Sequence, residues 1–215
     1  MTRTPALTSI ATLTSIAALS LAALSLAGCG QQEPAAPKAA PPVVGAPTES
    51  PAPVVDPNVL TSEGLGALKI GMTLAEVTAA VGPDASPGAV GGADPLACDE
   101  FRPERSPDGV LVMIEQGVLT RVSLIRSATI KTDRGFGIGS QGAAIKAAYG
   151  GGVVVQPAKY EPAPAEDLFV WSHNGSTSYV TDTTARGVRY EIGTDGLVKA
   201  VRAGGPSIQL VEGCS

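Results

Sequence analysis

Two thirteen-residue segments of this chain repeat at a constant offset of 68 positions, Ile70–Gly82 (IGMTLAEVTAAVG) and Ile138–Gly150 (IGSQGAAIKAAYG). Identical residues fall at Ile70/Ile138, Gly71/Gly139, Ala75/Ala143, Ala79/Ala147, Ala80/Ala148 and Gly82/Gly150. A repeat constrains architecture before any single element does, because each copy is one unit that must pack on its neighbour. Each copy predicts a short helix. In the first, Thr73 and Glu76 form a T-x-x-E capping box, Leu74, Val77 and Val81 share one face at helical spacing, and Gly82-Pro83 ends it. In the second, Ser140 is the expected cap, Ile145, Ala148 and Tyr149 the expected buried face, and the glycines at 150–152 the stop.

A hairpin follows each helix. Val110 to Glu115 and Val118 to Ile125 flank a Gln116-Gly117 turn, and Gly187 to Ile192 and Leu197 to Arg202 flank a turn with the Asp195-Gly196 hairpin signal. The hairpins are offset by 78 to 79 positions, so the second copy carries about ten more residues than the helix spacing alone predicts. Leu168 to Ser172 and Ser176 to Thr181, separated by His173-Asn174-Gly175, predict an additional hairpin there.

The pattern I-G-M-T-x-x-E-V…G over Ile70 to Gly82 resembles the helix of small envelope lipoproteins of the SmpA/OmlA type. It also resembles the tandem-repeat fold of secreted β-lactamase inhibitor proteins. The second copy departs from it, with Gly142 inside the helix and no counterpart to Glu76. The resemblance implies helical elements packed on an antiparallel sheet and, for function, binding of other proteins without catalysis. The motif itself is a turn, a cap and an apolar face, so it speaks to fold far more than to activity.

The remaining chain divides by composition. All eight aromatic residues lie between Phe101 and Tyr190, which places the folded part from about Leu60 onward. Residues 31–58 hold eight prolines, six alanines and no aromatic residue, a composition that cannot bury enough apolar surface to fold. Such a segment is a spacer, and at about 3.1 Å per residue its 28 residues reach at most ~85 Å. Before it, Arg3 is the one charge in residues 1–28, and the run ALTSIATLTSIAALSLAALSLAG is apolar or small, as in a secretory leader.

The leader ends at Leu26-Ala27-Gly28-Cys29, which resembles the processing site of bacterial lipoproteins at every position. That resemblance implies acylation of Cys29 with two or three chains, a stable anchor where a single chain binds reversibly. Gly30 stands where an Asp would imply retention in the inner membrane, so the expected location is the outer membrane, facing the periplasm. With Cys29 acylated, Cys98 and Cys214 remain and are expected to form a disulfide in an oxidising compartment, closing a loop of about 117 residues. Net charge is −5, and phosphate neutralisation needs a basic face, so nucleic acid is not an expected partner.

No arrangement of reactive residues emerges. His173 is the one histidine and sits beside Asn174-Gly175. Ser172 and His173 are neighbours on a strand, whose side chains point to opposite faces. The acidic pairs Asp99-Glu100 and Glu166-Asp167 read as solvated loop residues. Asp84, Asp94, Asp99 and Asp108 share one region without EF-hand spacing, and no metal or cofactor is expected. Gly135-Phe136-Gly137-Ile138-Gly139 lacks dinucleotide-loop spacing and reads as a tight turn into the second helix. Tyr160, Phe169, Trp171 and Tyr179 cluster within twenty residues, and Phe169 and Trp171 share one face of a strand. Exposed aromatics mark binding surfaces for proteins or sugars, so these four are the candidate binding face.

The expected protein is therefore α+β, with two related repeats, each a short helix packed on an antiparallel hairpin or sheet. Its segments are a leader at 1–28, the lipidated Cys29 and tether at 29–58, and repeats at 59–130 and 131–215. The expected function is that of a non-catalytic envelope protein, held at the membrane by its lipid, that binds another protein or stabilises an assembly. A carbohydrate- or peptidoglycan-binding module is the alternative, and an enzyme of unrecognised type a more distant one.

Overall fold

The structure, a computed structural model, describes residues 58–89 and 91–214; Cys29, the leader and nearly all of the tether lie outside the described residues. The chain order is β1 (Val59–Thr61), β2 (Gly64–Leu65), β3 (Leu68–Lys69), α1 (Leu74–Val81), β4 (Cys98–Phe101), β5 (Val110–Glu115), β6 (Val118–Ile125), β7 (Lys131–Thr132), α2 (Gly142–Tyr149), β8 (Val153–Pro157), β9 (Glu166–His173), β10 (Arg186–Ile192) and β11 (Val198–Gly204). The fold is α+β and rich in sheet. A small sheet runs β3-β2-β1-β7, and a seven-stranded antiparallel sheet runs β4-β5-β6-β11-β10-β9-β8.

The same local bonding recurs in both halves of the chain. Gly71 N–H donates to Leu119 O, Leu119 N–H to Met72 O and Leu74 N–H to Gly117 O, at 2.8 to 2.9 Å. Gly139 N–H donates to Val198 O, Val198 N–H to Ser140 O and Gly142 N–H to Gly196 O, at 2.8 to 3.0 Å. Each helix is thus stitched at its entry to the turn of its hairpin. Both hairpins carry a register shift at matching places, Met113/Ile114 and Glu191/Ile192. Strands β6 and β11 lie side by side at the centre of the sheet, with Val122 opposite Ala203.

One face of the sheet forms the core with both helices. Leu60, Val77, Val112, Leu119, Val122, Ile145, Leu168, Tyr190 and Val201 are all buried there. The Tyr190 hydroxyl donates to Thr132 Oγ1 at 3.1 Å and meets the Tyr149 hydroxyl at 3.2 Å, so this face buries its phenol with a partner.

The helices match expectation in the capping box of α1, the buried Val77 and Ile145 and the glycine stop of α2, and differ at Leu74, Ser140 and Ala148. Thr73 Oγ1 accepts from Glu76 N–H, and Glu76 Oε2 accepts from Thr73 N–H at 2.8 Å. Leu74 is exposed, so α1 rests on Val77 and the half-buried Val81. On α2 the cap position is Gln141, with no side-chain bond; Ser140 Oγ instead accepts from Gly137 N–H. Ala148 is exposed and Gly142 takes its place on the buried face. A Cβ at Gly142 would stand 3.2 Å from three atoms of Ile192, and this close approach is why the second copy departs from the first there.

The additional hairpin lies elsewhere than the sequence predicts. Strand β9 pairs with β8, which precedes it, and residues 176–181 form no strand. Ser176 Oγ accepts from Ser178 N–H and Asp182 Oδ1 from Thr184 N–H, so local side-chain bonding takes this Ser/Thr-rich segment away from the sheet.

Candidate functional site

The face of the large sheet opposite the helices carries a charged layer. Directly paired residues share a face, so the register sets Glu100 beside Met113 and Met113 beside Arg121. It also lines up Ser123, Arg202, Arg189 and Phe169. Arg121 donates to Glu100 at 3.0 Å and Arg189 to Asp167 at 2.9 Å. The like charges of Arg189 and Arg202 stand opposite each other, with Glu191 bridging them at 3.3 and 2.6 Å. Arg121 is 0% exposed and Arg189 2%.

Burial sets the proton affinities of this layer. It pushes the Arg121 guanidinium down to about 10, with Arg202 adding repulsion and Glu100 opposing. Burial raises the Asp167 carboxyl despite Arg189. Burial also acts to raise Glu191, but the Arg202 and Arg189 guanidiniums outweigh it and hold Glu191 below its ordinary value. The layer thus pairs acidic with basic side chains largely held out of water.

What covers the layer is the end of the chain. Residues 206–214 cross it as a strap that begins with a 3₁₀ turn at Pro206–Gln209. Arg121 donates to Ser207 O at 3.0 Å and Leu210 O at 3.1 Å, and Arg189 donates to Ile208 O at 3.1 Å. Ile208 is fully buried. Cys214 closes the strap through a disulfide to Cys98 on β4, with Cα atoms 5.4 Å apart. The strap also fixes the loop that follows β9, because the Gln209 side chain accepts from Val180 N–H at 2.9 Å and donates to Val180 O at 2.8 Å.

Beside the strap opens a cleft of about 500 Å³. Ile70, Val118, Leu119, Val180, Pro206 and Leu210 give it apolar walls, and Tyr179 lines it while 65% exposed. Its charged neighbours are engaged in the fold. Glu115 accepts from Thr120 Oγ1 at 2.5 Å, and Arg186 donates to Thr183 O and Ala185 O and lies 3.5 Å from Glu63. An apolar concavity with an aromatic wall suits the burial of apolar side chains from a ligand.

The four aromatic residues of the candidate face occupy different settings. Phe169 and Trp171 share a face and stack, with ring centroids 6.3 Å apart at 11°. Phe169 is 3% exposed, with the Arg189 guanidinium 5.5 Å above its ring. Trp171 is half-buried against Gly175 and Gly187. Tyr160 is as exposed as Tyr179, but it lies with Lys159 beside the charged layer, whereas Tyr179 lines the cleft.

The acidic pairs are not solvated loop residues. Both lie in strands, and three of the four carboxylates make ion pairs: Glu100 with Arg121, Glu166 with Lys146 at 2.6 Å, and Asp167 with Arg189. The strand register pulls one member of each pair under the strap. His173 is exposed at the end of β9, where Ser172 Oγ lies 3.4 Å from its Nδ1 while donating to Arg186 O. The register shift opposite Arg186/Gly187 locally relaxes the strict alternation that separates neighbouring side chains. Among the described residues, no group of three or more His, Cys, Asp or Glu side chains is placed to hold a metal ion, and no helix is long and apolar enough to cross a membrane.

No family profile matches this chain, and no curated protein matches it in sequence. Among solved structures it is similar to a DUF4309 family protein (YjgB) from Bacillus subtilis subsp. subtilis str. 168, at 15% identity and a TM-score of 0.42, over 69% of this chain and 88% of that one. It is also similar to an extracellular protein containing a SCP domain from Bacillus anthracis str. Ames, at 9% identity and a TM-score of 0.42, over 79% of this chain and 52% of that one.

Proposed function

We propose that this chain is a lipid-anchored, non-catalytic envelope protein that binds another envelope protein through the cleft beside the C-terminal strap. The observation that carries the reading is the cleft itself: apolar walls, an exposed tyrosine, and charged neighbours already bonded within the fold. Such a surface offers burial of apolar side chains and little machinery for acid–base or nucleophilic chemistry. The anchor is Cys29, and the proposed location is the outer membrane facing the periplasm, with the Pro-rich tether as spacer. The domain is proposed to be two tandem copies of one helix-plus-hairpin unit, supported by the recurring helix-entry hydrogen bonds and the matching register shifts.

Crosslinking of intact envelopes followed by purification tests the function. A discrete crosslinked partner protein is the expected result. Retention on peptidoglycan without any protein partner would reject it in favour of glycan binding. For the anchor, Cys29→Ala is expected to move the protein from the membrane fraction to the soluble periplasm, and a variant that stays with membranes would refute lipidation at this cysteine.

A further inference from the structure

The strap is fastened over a surface that gains by becoming wet. Beneath it lie Glu100, Arg121, Asp167, Arg189, Glu191 and Arg202, whose removal from water opposes closure even when they are paired. Arg121 Nε and Arg189 Nε are buried without a hydrogen-bond partner, so closure leaves part of each guanidinium unsatisfied. The attachments that favour closure are the buried Ile208, the carbonyls that accept from Arg121 and Arg189, the Ser207 hydroxyl donating to Thr120 O, the Lys159–Glu212 pair, and the disulfide at the strap's end. Both cysteines are partly exposed, and access is one of the factors that set the rate of thiol–disulfide exchange.

The strap also builds the cleft. Pro206, Ser207 and Leu210 form part of its lining, and Gln209 clamps Val180, which lines it beside Tyr179. The disulfide therefore connects to the cleft through the backbone of residues 209–214, the two Gln209–Val180 hydrogen bonds and the chain neighbour Tyr179.

We propose that the Cys98–Cys214 disulfide is a redox latch: it holds the strap over the charged layer, and its reduction frees the strap and takes apart one wall of the cleft. The reductant is a dithiol. Its thiolate attacks one sulfur of the disulfide to give a mixed disulfide, and its second thiol then displaces the protein sulfur. The dithiol leaves as its own disulfide, two electrons have passed to the protein, and Cys98 and Cys214 each carry a proton as free thiols. This inference rests on the cleft being the binding site for its functional meaning, but its structural content stands apart from any ligand.

Hydrogen exchange on the full-length protein, oxidised and then reduced with dithiothreitol, reads the latch directly. After reduction the amides of Gly205, Ile208, Leu210 and Val180 should exchange at least about tenfold faster than the most protected amides of β5, β6, β10 and β11, which still report a folded sheet. Unchanged protection of the strap after complete reduction would overturn the proposal. So would strap and sheet amides exchanging with one common protection after reduction, which would make the disulfide a staple of the whole fold alone. In the oxidised protein, Gln209→Ala should expose the Val180 amide and leave Ile208 protected; an unchanged Val180 would reject the link from strap to cleft. Failure of these exchange results rejects the latch alone, whereas absence of a crosslinked partner in the oxidised protein rejects the binding reading alone.

Discussion

Arg121 on β6 reaches across β5 to donate to Glu100 on β4 at 3.0 Å, and the strap closes both from solvent. Removing one partner of such a pair leaves a buried charge uncompensated, at a cost of about 3–5 kcal/mol. Arg121→Met should destabilise by that amount, and adding Glu100→Leu should recover most of it. Urea unfolding at constant m-value checks both. A loss under about 1 kcal/mol for Arg121→Met would mean that the pair is solvated.

Loop closure by Cys98–Cys214 spans a sequence separation of 116 residues. Chain-entropy estimates put its contribution at roughly 4–5 kcal/mol. Cys98→Ser/Cys214→Ser should therefore lower the unfolding free energy by about that amount while leaving a folded sheet. Non-reducing mass analysis of the unfolded wild-type chain after alkylation should find neither cysteine modified; two alkylated thiols would refute the bond.

Val77 on α1 and Ile145 on α2 are both fully buried, one in each half of the chain. The halves share the large sheet through β6–β11 and the small sheet through β1–β7. Val77→Ala and Ile145→Ala should each cost about 2–4 kcal/mol and shift one common transition. Two separable transitions, each sensitive to one substitution, would show that the halves fold independently.

Glu191 supplies an acid dependence with a definite sign. Its folded-state affinity for protons is below that of the unfolded chain, so its contribution is present above the ordinary glutamate range and is lost as pH falls through the lower folded value. Glu191→Gln should flatten the loss of stability below about pH 4.5. Asp167 acts in the opposite sense, since its raised value makes the ionised form a cost above that value. A Glu191→Gln variant with an unchanged acid limb would place the Arg202 and Arg189 contacts outside the folded state in solution.

Much of the fold is legible in the sequence because local rules and the tertiary structure agree. The Thr73/Glu76 capping box forms, β5 and β6 take the bounds their turn implies, and Cys98 and Cys214 are joined. The candidate site is less legible. Arg121, Arg189, Glu191 and Arg202 sit at strand positions that local pattern assigns to a solvated face. Their alternation with Val122, Tyr190 and Val201 marks two unlike faces, but nothing local says that residues 206–214 return to cover one of them. Phe169 and Trp171 show the same limit: strand alternation puts them on one face, while the depth of Phe169 depends on Arg189 from the next strand. Asn174-Gly175 carries a hairpin-turn signal that points to pairing within 168–181, whereas β9 pairs there with the preceding strand β8.

The most direct test of the account replaces Tyr179 with a photo-crosslinking amino acid in the full-length, membrane-anchored protein. Tyr160, equally exposed but away from the cleft, serves as the comparison position. Irradiation of intact cells should give a discrete crosslinked protein from position 179 and none from position 160. No product from 179, or the same products from both positions, would contradict the assignment of the cleft as the binding site.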